Sequence, residues 1–125
     1  MEGSFSAGFQ KGKFGQSISA SGNRSSGFQY DREFRSITVN ARSEFGDRST
    51  LMVSYGNKDF GANGFYGPAP SKEWTNQTLI SFEHRYSSKS GAKTVLQSFY
   101  RTHGDRFLYD VRSPGLFENR HRTHA

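Results

Sequence analysis

Apolar and polar residues alternate with a period of two along most of the chain, and no segment carries a 3.6-residue apolar stripe. The alternation predicts a first strand over about Glu2 to Gln10, with Phe5, Ala7 and Phe9 on one face and Ser4, Ser6 and Gly8 on the other. A second runs over about Phe14 to Ser21, with Phe14, Ile18 and Ala20 opposed by Ser17, Ser19 and Ser21. The clearest is Phe34 to Phe45, where Ile37, Val39, Ala41 and Phe45 face away from Thr38, Asn40, Arg42 and Glu44. Leu51, Val53 and Tyr55 resume the apolar face in a fourth strand from Ser49. In a fifth, Trp74 to Tyr86, Ile80 and Phe82 oppose Ser81 and Glu83. The sixth, about Ala92 to His103, is ambiguous, because Leu96 and Tyr100 occupy one face and Val95 and Phe99 the other. Cross-strand neighbours share a face. We expect Leu96 and Tyr100 on the side of Ile80 and Phe82, with Arg101 on the side of Glu83. From Gly104 the chain reads as loop, with at most the start of a seventh strand.

The stretch Gly56 to Thr75, GNKDFGANGFYGPAPSKEWT, interrupts the alternation. Its glycines and prolines argue against a helix or a central strand, and its aromatic content argues against disorder. It is expected to be a long exposed loop between two antiparallel strands.

Connections then alternate between tight turns near residues 12, 46 and 89 and long loops near 27, 65 and 113. All long loops would lie at one end of an up-and-down meander, the asymmetry of an outer-membrane barrel wall. Charge agrees. A basic side chain facing mid-bilayer lipid costs about 2–4 kcal/mol. Arg42, Glu44, Glu83, Arg85, Lys93 and Arg101 all fall opposite the apolar faces, while Arg35 and His84 share them only near strand ends. Trp74 and Tyr86 would stand about 40 Å apart along the strand, or about 28 Å along the membrane normal at a ~45° tilt, close to an apolar band of about 25 Å.

Composition sharpens this picture. Only 32% of the 125 residues are hydrophobic, with twelve Phe and six Tyr against five Leu, three Ile and four Val. Aromatic rings thus supply much of the apolar surface, too thinly spread for a conventional core. No run reaches the ~20 apolar residues of a spanning helix, and the first ten residues do not read as a signal peptide. Cysteine is absent, so there is no thiolate metal site or disulfide framework. The net charge of +6 permits contact with anionic lipid or nucleic acid, but no nucleic-acid motif is present and none is expected as a partner.

Two runs, KDFGANGFYGPAPSKEWTNQT and YRTHGDRFLYDVRSPGLFENRHRTHA, resemble strand, outer loop and following strand in the barrels of TonB-dependent outer-membrane receptors, especially those similar to cobalamin receptors. The resemblance covers about Tyr30 to Ala125 and, more loosely, the first two strands. It implies an all-β antiparallel meander of about six strands, a segment of a transmembrane β-barrel whose family closes twenty-two strands around a plug. Residues 1–125 would then form a partial barrel domain without the plug or the TonB-binding segment, a mid-barrel fragment of a receptor in the cell outer membrane. The implied function is energised uptake of a scarce large nutrient, such as cobalamin or a metal chelate. Outer-membrane lipid, the rest of the barrel, the plug, the nutrient and, indirectly, TonB would be its partners. The alternative is a small soluble all-β binding module that uses aromatic loops for carbohydrate or nucleic acid.

No catalytic constellation or cofactor motif is legible, and the chain is not expected to be an enzyme. His103, His121 and His124 with Asp105 lack the spacing of a metal site, and Gly61 to Gly67 lacks the following helix of a phosphate loop. The candidate ligand-binding residues are Asn63, Phe65, Tyr66 and Trp74 in the central loop and Asp105, Arg106 and Tyr109 in the last, which combine stacking faces with polar groups. Arg42, Glu44, Glu83 and Arg85 are expected to satisfy one another or a plug surface.

Overall fold

The computed structural model describes all residues, Met1–Ala125. Seven strands form one antiparallel sheet in chain order: β1 (Glu2–Lys11), β2 (Phe14–Ser25), β3 (Phe34–Phe45), β4 (Ser49–Gly61), β5 (Lys72–Ser87), β6 (Lys93–Leu108) and β7 (Glu118–His124). There is no helix, and the sheet does not close on itself. The chain is the all-β up-and-down meander that its alternation implies. Short turns, with Gly12, Gly46 and Gly91 at positive φ, join the strands at one end. The longer loops 26–33, 62–71 and 109–117 lie together at the other.

The larger differences from the sequence reading in strand boundaries all lie at the loop end. Gly56–Gly61 and Lys72–Thr75 are paired strand rather than loop, so the central loop shrinks to residues 62–71. Gly56 is accommodated because the ladder needs only its backbone, and Pro68 and Pro70 both fall inside the shortened loop. β2 likewise continues to Ser25, and β6 runs through Gly104 to Leu108 before β7 pairs back on it. At Gly104 the Asn76 side chain stands where a Cβ would project, so a small residue fits an unbroken strand there.

Register places every strand on two common faces. Tyr100 pairs with Ile80, Ser98 with Phe82 and Leu96 with His84, while Gln97 pairs with Glu83 and Arg101 with Leu79. Leu96 and Tyr100 therefore share the face of Ile80 and Phe82, and Arg101 shares that of Glu83, as expected. The same face continues through Leu51, Val53 and Tyr55, then Ile37, Val39 and Ala41, then Ile18 and Ala20, and ends on Phe5, Ala7 and Phe9.

In the middle strands of the sheet, burial is inverted relative to a water-soluble sheet. In β3, Ser36, Thr38 and Asn40 are half-buried while Ile37 and Val39 are exposed; in β5, Ser81 and Glu83 are half-buried while Ile80 and Phe82 are exposed. Such a sheet curls toward its polar side. Much of that side is linked by hydrogen bonds, although His103 Nδ1 is buried there without a partner: Ser54 Oγ donates to Asn40 Oδ1 at 2.7 Å, and Asn40 Nδ2 to Ser19 Oγ at 3.4 Å. Arg42 pairs with Glu44 at 2.8 Å, Arg85 with Glu83 at 2.7 Å, and Gln97 donates to Glu83 at 2.8 Å. These charges satisfy one another, in line with the sequence reading.

What interior exists lies among the long loops. The buried residues are Gly61, Ala62, Ala69, Pro70, Ser71, Gly104 and Leu108, with Ala62 at 0% and Ser71 at 1% exposure, against 65% for Phe5 and 61% for Leu96. The central loop, expected to be exposed, is thus the best-buried part of the molecule at its neck. The small residues Gly61, Ala62, Ala69 and Ser71 let the neighbouring loops close in there, whereas a single sheet has no second layer to pack against.

Candidate functional site

The three long loops form one cap. The central loop is pinched shut where Ala62 N–H donates to the Ser71 carbonyl at 2.7 Å and Ser71 Oγ to the Ala62 carbonyl at 2.9 Å. It is clasped by the loop 26–33: Asn63 N–H donates to the Asp31 carbonyl at 3.2 Å, Asn63 Nδ2 to the Tyr30 carbonyl at 3.0 Å, and Arg32 Nε to the Asn63 carbonyl at 2.7 Å. On its other side Val111 N–H donates to the Pro70 carbonyl at 2.9 Å. Gly61 permits this closeness, because a Cβ there would overlap the Asp31 carbonyl.

Titratable groups in the cap are tuned by it. Burial, then the neighbouring Glu33, pushes the Asp31 carboxyl above the usual aspartate value; Asp31 also holds positive φ, and its Oδ2 is buried without a partner. Backbone hydrogen bonding and then Lys72, 3.2 Å away, hold Glu33 below the usual glutamate value. The hydrogen bond from Tyr66 Oη to Glu73 Oε2, at 3.0 Å, raises the Tyr66 phenol. In the last loop, hydrogen bonds from the Arg112 side chain and then from its backbone N–H lower Asp110.

The seven residues picked out from the sequence fall into three groups. Phe65 and Tyr66 come together, with ring centroids 6.2 Å apart, and Tyr66 meets Phe107 edge-on at 4.8 Å. Phe107 in turn lies 6.4 Å from Phe117, and the Arg32 guanidinium stands 5.1 Å over Phe65. Glu73 and Phe107 pair in register on the polar side of the sheet, so this aromatic group stands at the loop-end mouth of that side. Asp105 shares the same side, 3.4 Å from His121.

Trp74 and Arg106 form the second group, on the opposite, apolar side, with Arg106 stacked 4.8 Å over the Trp74 ring. Trp74 lies in β5, as the fifth-strand reading places it, whereas the assignment of Asp105 and Arg106 to a loop is corrected: both are strand residues, because β6 extends farther than turn chemistry suggests. Trp74 and Arg106 consequently face away from Tyr66. Asn63 and Tyr109 make up the third group and hold the cap together. Every polar group of Asn63 named above is spent on the neighbouring loop, and the Tyr109 hydroxyl packs where a Cβ of Gly67 would stand.

Phe107, Phe117 and Arg32 were not legible as site residues. The available signal was that Phe107 keeps the parity of Phe99 and Asp105 beyond Gly104. His124 stacks on Tyr100 on the apolar side, whereas His103 and His121 face the polar side, and no group of three ligand-type residues is close enough to hold an ion. No known family model, curated protein or solved structure matches this chain.

Proposed function

We propose that this chain is a section of the wall of an outer-membrane β-barrel of the TonB-dependent receptor type, working in energised uptake of a scarce large nutrient. The observation that carries the proposal is the exposed apolar face. It runs unbroken across β1–β6, and its charges sit only at the strand ends, Lys11 at the turns and Arg24, Arg35, Asp59, Lys72 and Arg106 toward the loops. An apolar patch of this extent on a water-facing surface marks a membrane or partner contact. Aromatic rings border it at both ends: Phe9, Phe14 and Phe45 pack as tilted pairs at 5.9 and 5.4 Å by the turns, and Trp74 stands near the loops. The polar side supplies what a barrel interior requires, and the Phe65–Tyr66–Phe107–Phe117 mouth offers stacking faces to a large planar ligand.

Trp74 is the sole tryptophan and reports its own depth. In lipid vesicles its fluorescence should be quenched more by lipids brominated near the headgroup than by lipids brominated at the chain ends. No quenching by either would sink the wall reading and favour a soluble binding module. In an intact receptor, Tyr66→Ala with Phe107→Ala should lower uptake of cyanocobalamin or a metal chelate; unchanged uptake of both would remove this mouth from ligand capture.

A further inference from the structure

The apolar face carries two pairs of arginines directly opposite each other on neighbouring strands. Arg106 pairs with Arg120, and the chain supplies a counter-charge: Glu118 accepts from Arg106 Nε at 2.8 Å and from Arg120 Nε at 2.6 Å. Arg24 pairs in the same way with Arg35, yet neither side chain has an ion pair or a hydrogen bond. Like charges directly opposite in a ladder are destabilising. Asp59, next to Arg35 in register, forms no ion pair with it. The arginine pair stands at the head of a hollow of about 310 Å³, floored where Gly3 and Gly22 face each other and flanked by Ile37. Toward the turns this floor leads onto Phe5, Ala20 and Val39.

We infer that Arg24 and Arg35 seat the phosphate of an anionic phospholipid, whose acyl chains lie in the Gly3–Gly22 hollow and down the apolar face. The inference rests on the barrel-wall reading. A phosphate oxygen cluster gives the two guanidiniums the shared acceptor that Glu118 gives Arg106 and Arg120, and guanidinium geometry favours bidentate contact with phosphate. Chemistry alone would admit free phosphate. The apolar floor immediately beyond the arginines selects a ligand with chains attached.

The full chain is titrated with vesicles of phosphatidylcholine alone, with vesicles containing phosphatidylglycerol, and with inorganic phosphate, the lipid arms read by Trp74 fluorescence and the phosphate arm by its protection of the fold against heat. Phosphatidylglycerol should be preferred. Arg24→Gln and Arg35→Gln should each reduce that preference roughly 5-fold, while Arg42→Gln on the polar side leaves it intact. Gly22→Leu, whose Cβ would meet only the Ser36 carbonyl at 3.8 Å, should also reduce it by filling the floor without straining the fold. Without anionic lipid, Arg24→Gln should be more heat-stable than the parent chain. Equal partitioning into both vesicle types, or an undiminished preference in the arginine variants, overturns the lipid seat and leaves the barrel wall standing. Partitioning into neither overturns both. Protection of the parent chain by inorganic phosphate that is lost in Arg24→Gln and Arg35→Gln overturns the lipid assignment in favour of a free-anion site.

Discussion

Gly61 and Asp31 show how much of this protein depends on single positions in the cap. Gly61→Ala should push the two loops apart, because the new Cβ overlaps the backbone carbonyl of Asp31 rather than a movable side chain. The expected loss is about 1–3 kcal/mol, read as a lower unfolding midpoint in detergent. Asp31 and Glu33 should give opposite pH limbs. The Asp31 carboxyl is raised, so the folded chain holds its proton more tightly than the unfolded one, and stability falls as pH rises through that window. Glu33 is lowered, so its contribution is present above the usual glutamate value of about 4.3 and is lost as pH falls through the folded value. Asp31→Asn should therefore abolish the first limb, gaining about 0.5 kcal/mol or less at neutral pH, and keep the second. Unfolding midpoints across pH for both chains check this. The sequence marked Gly61 as a breaker and did not mark Asp31 at all, since a positive φ at an aspartate (φ 56) arises from the loop that surrounds it.

At the scale of the element, parity decides function. Val53 and Ser54 are neighbours in β4, yet Val53 pairs with Ala41 and Ile80 on the apolar face while Ser54 donates to Asn40 on the polar one. Val53→Arg should cost about 2–4 kcal/mol of lipid association, and Ser54→Arg should cost far less. Partitioning into phosphatidylcholine vesicles measures both, and equal losses would contradict a lipid-facing side. The alternation that assigns these faces is legible residue by residue, and it carried the ambiguous β6 correctly through its pairing with β5. Strand length was less legible. Glycine at 56 and 104 and the run near Pro68 read as interruptions, yet a ladder tolerates glycine wherever its backbone groups are paired. The strands therefore overrun the turn signals, by three residues or more at the loop ends of β2, β4 and β6.

For the whole molecule, both sheet edges are open. β1 is exposed along its length, and β7 covers β6 only from Leu108 back to Thr102, leaving Lys93–Tyr100 unpaired on that side. Unpaired ladders template association, and here an apolar face adds to them. Without detergent the chain should elute from size exclusion as large assemblies, and with detergent as a much smaller species. A salt-insensitive monomer in plain buffer would argue against the exposed face meeting lipid.

The sequence by itself determined that the chain is all-β, that its strands form a meander with long loops at one end, and which residues share a face. These follow from a period of two and from turn chemistry, both local properties. Only the tertiary structure decided that the long loops lock into a buried cap, that Tyr66 meets Phe107 while Trp74 turns to the other side, and that Arg24 stands opposite Arg35 without a counter-charge. Each of these joins residues from separate strands or loops. Their meeting depends on register and on where each strand ends, which is fixed by hydrogen bonds between segments rather than by any segment alone.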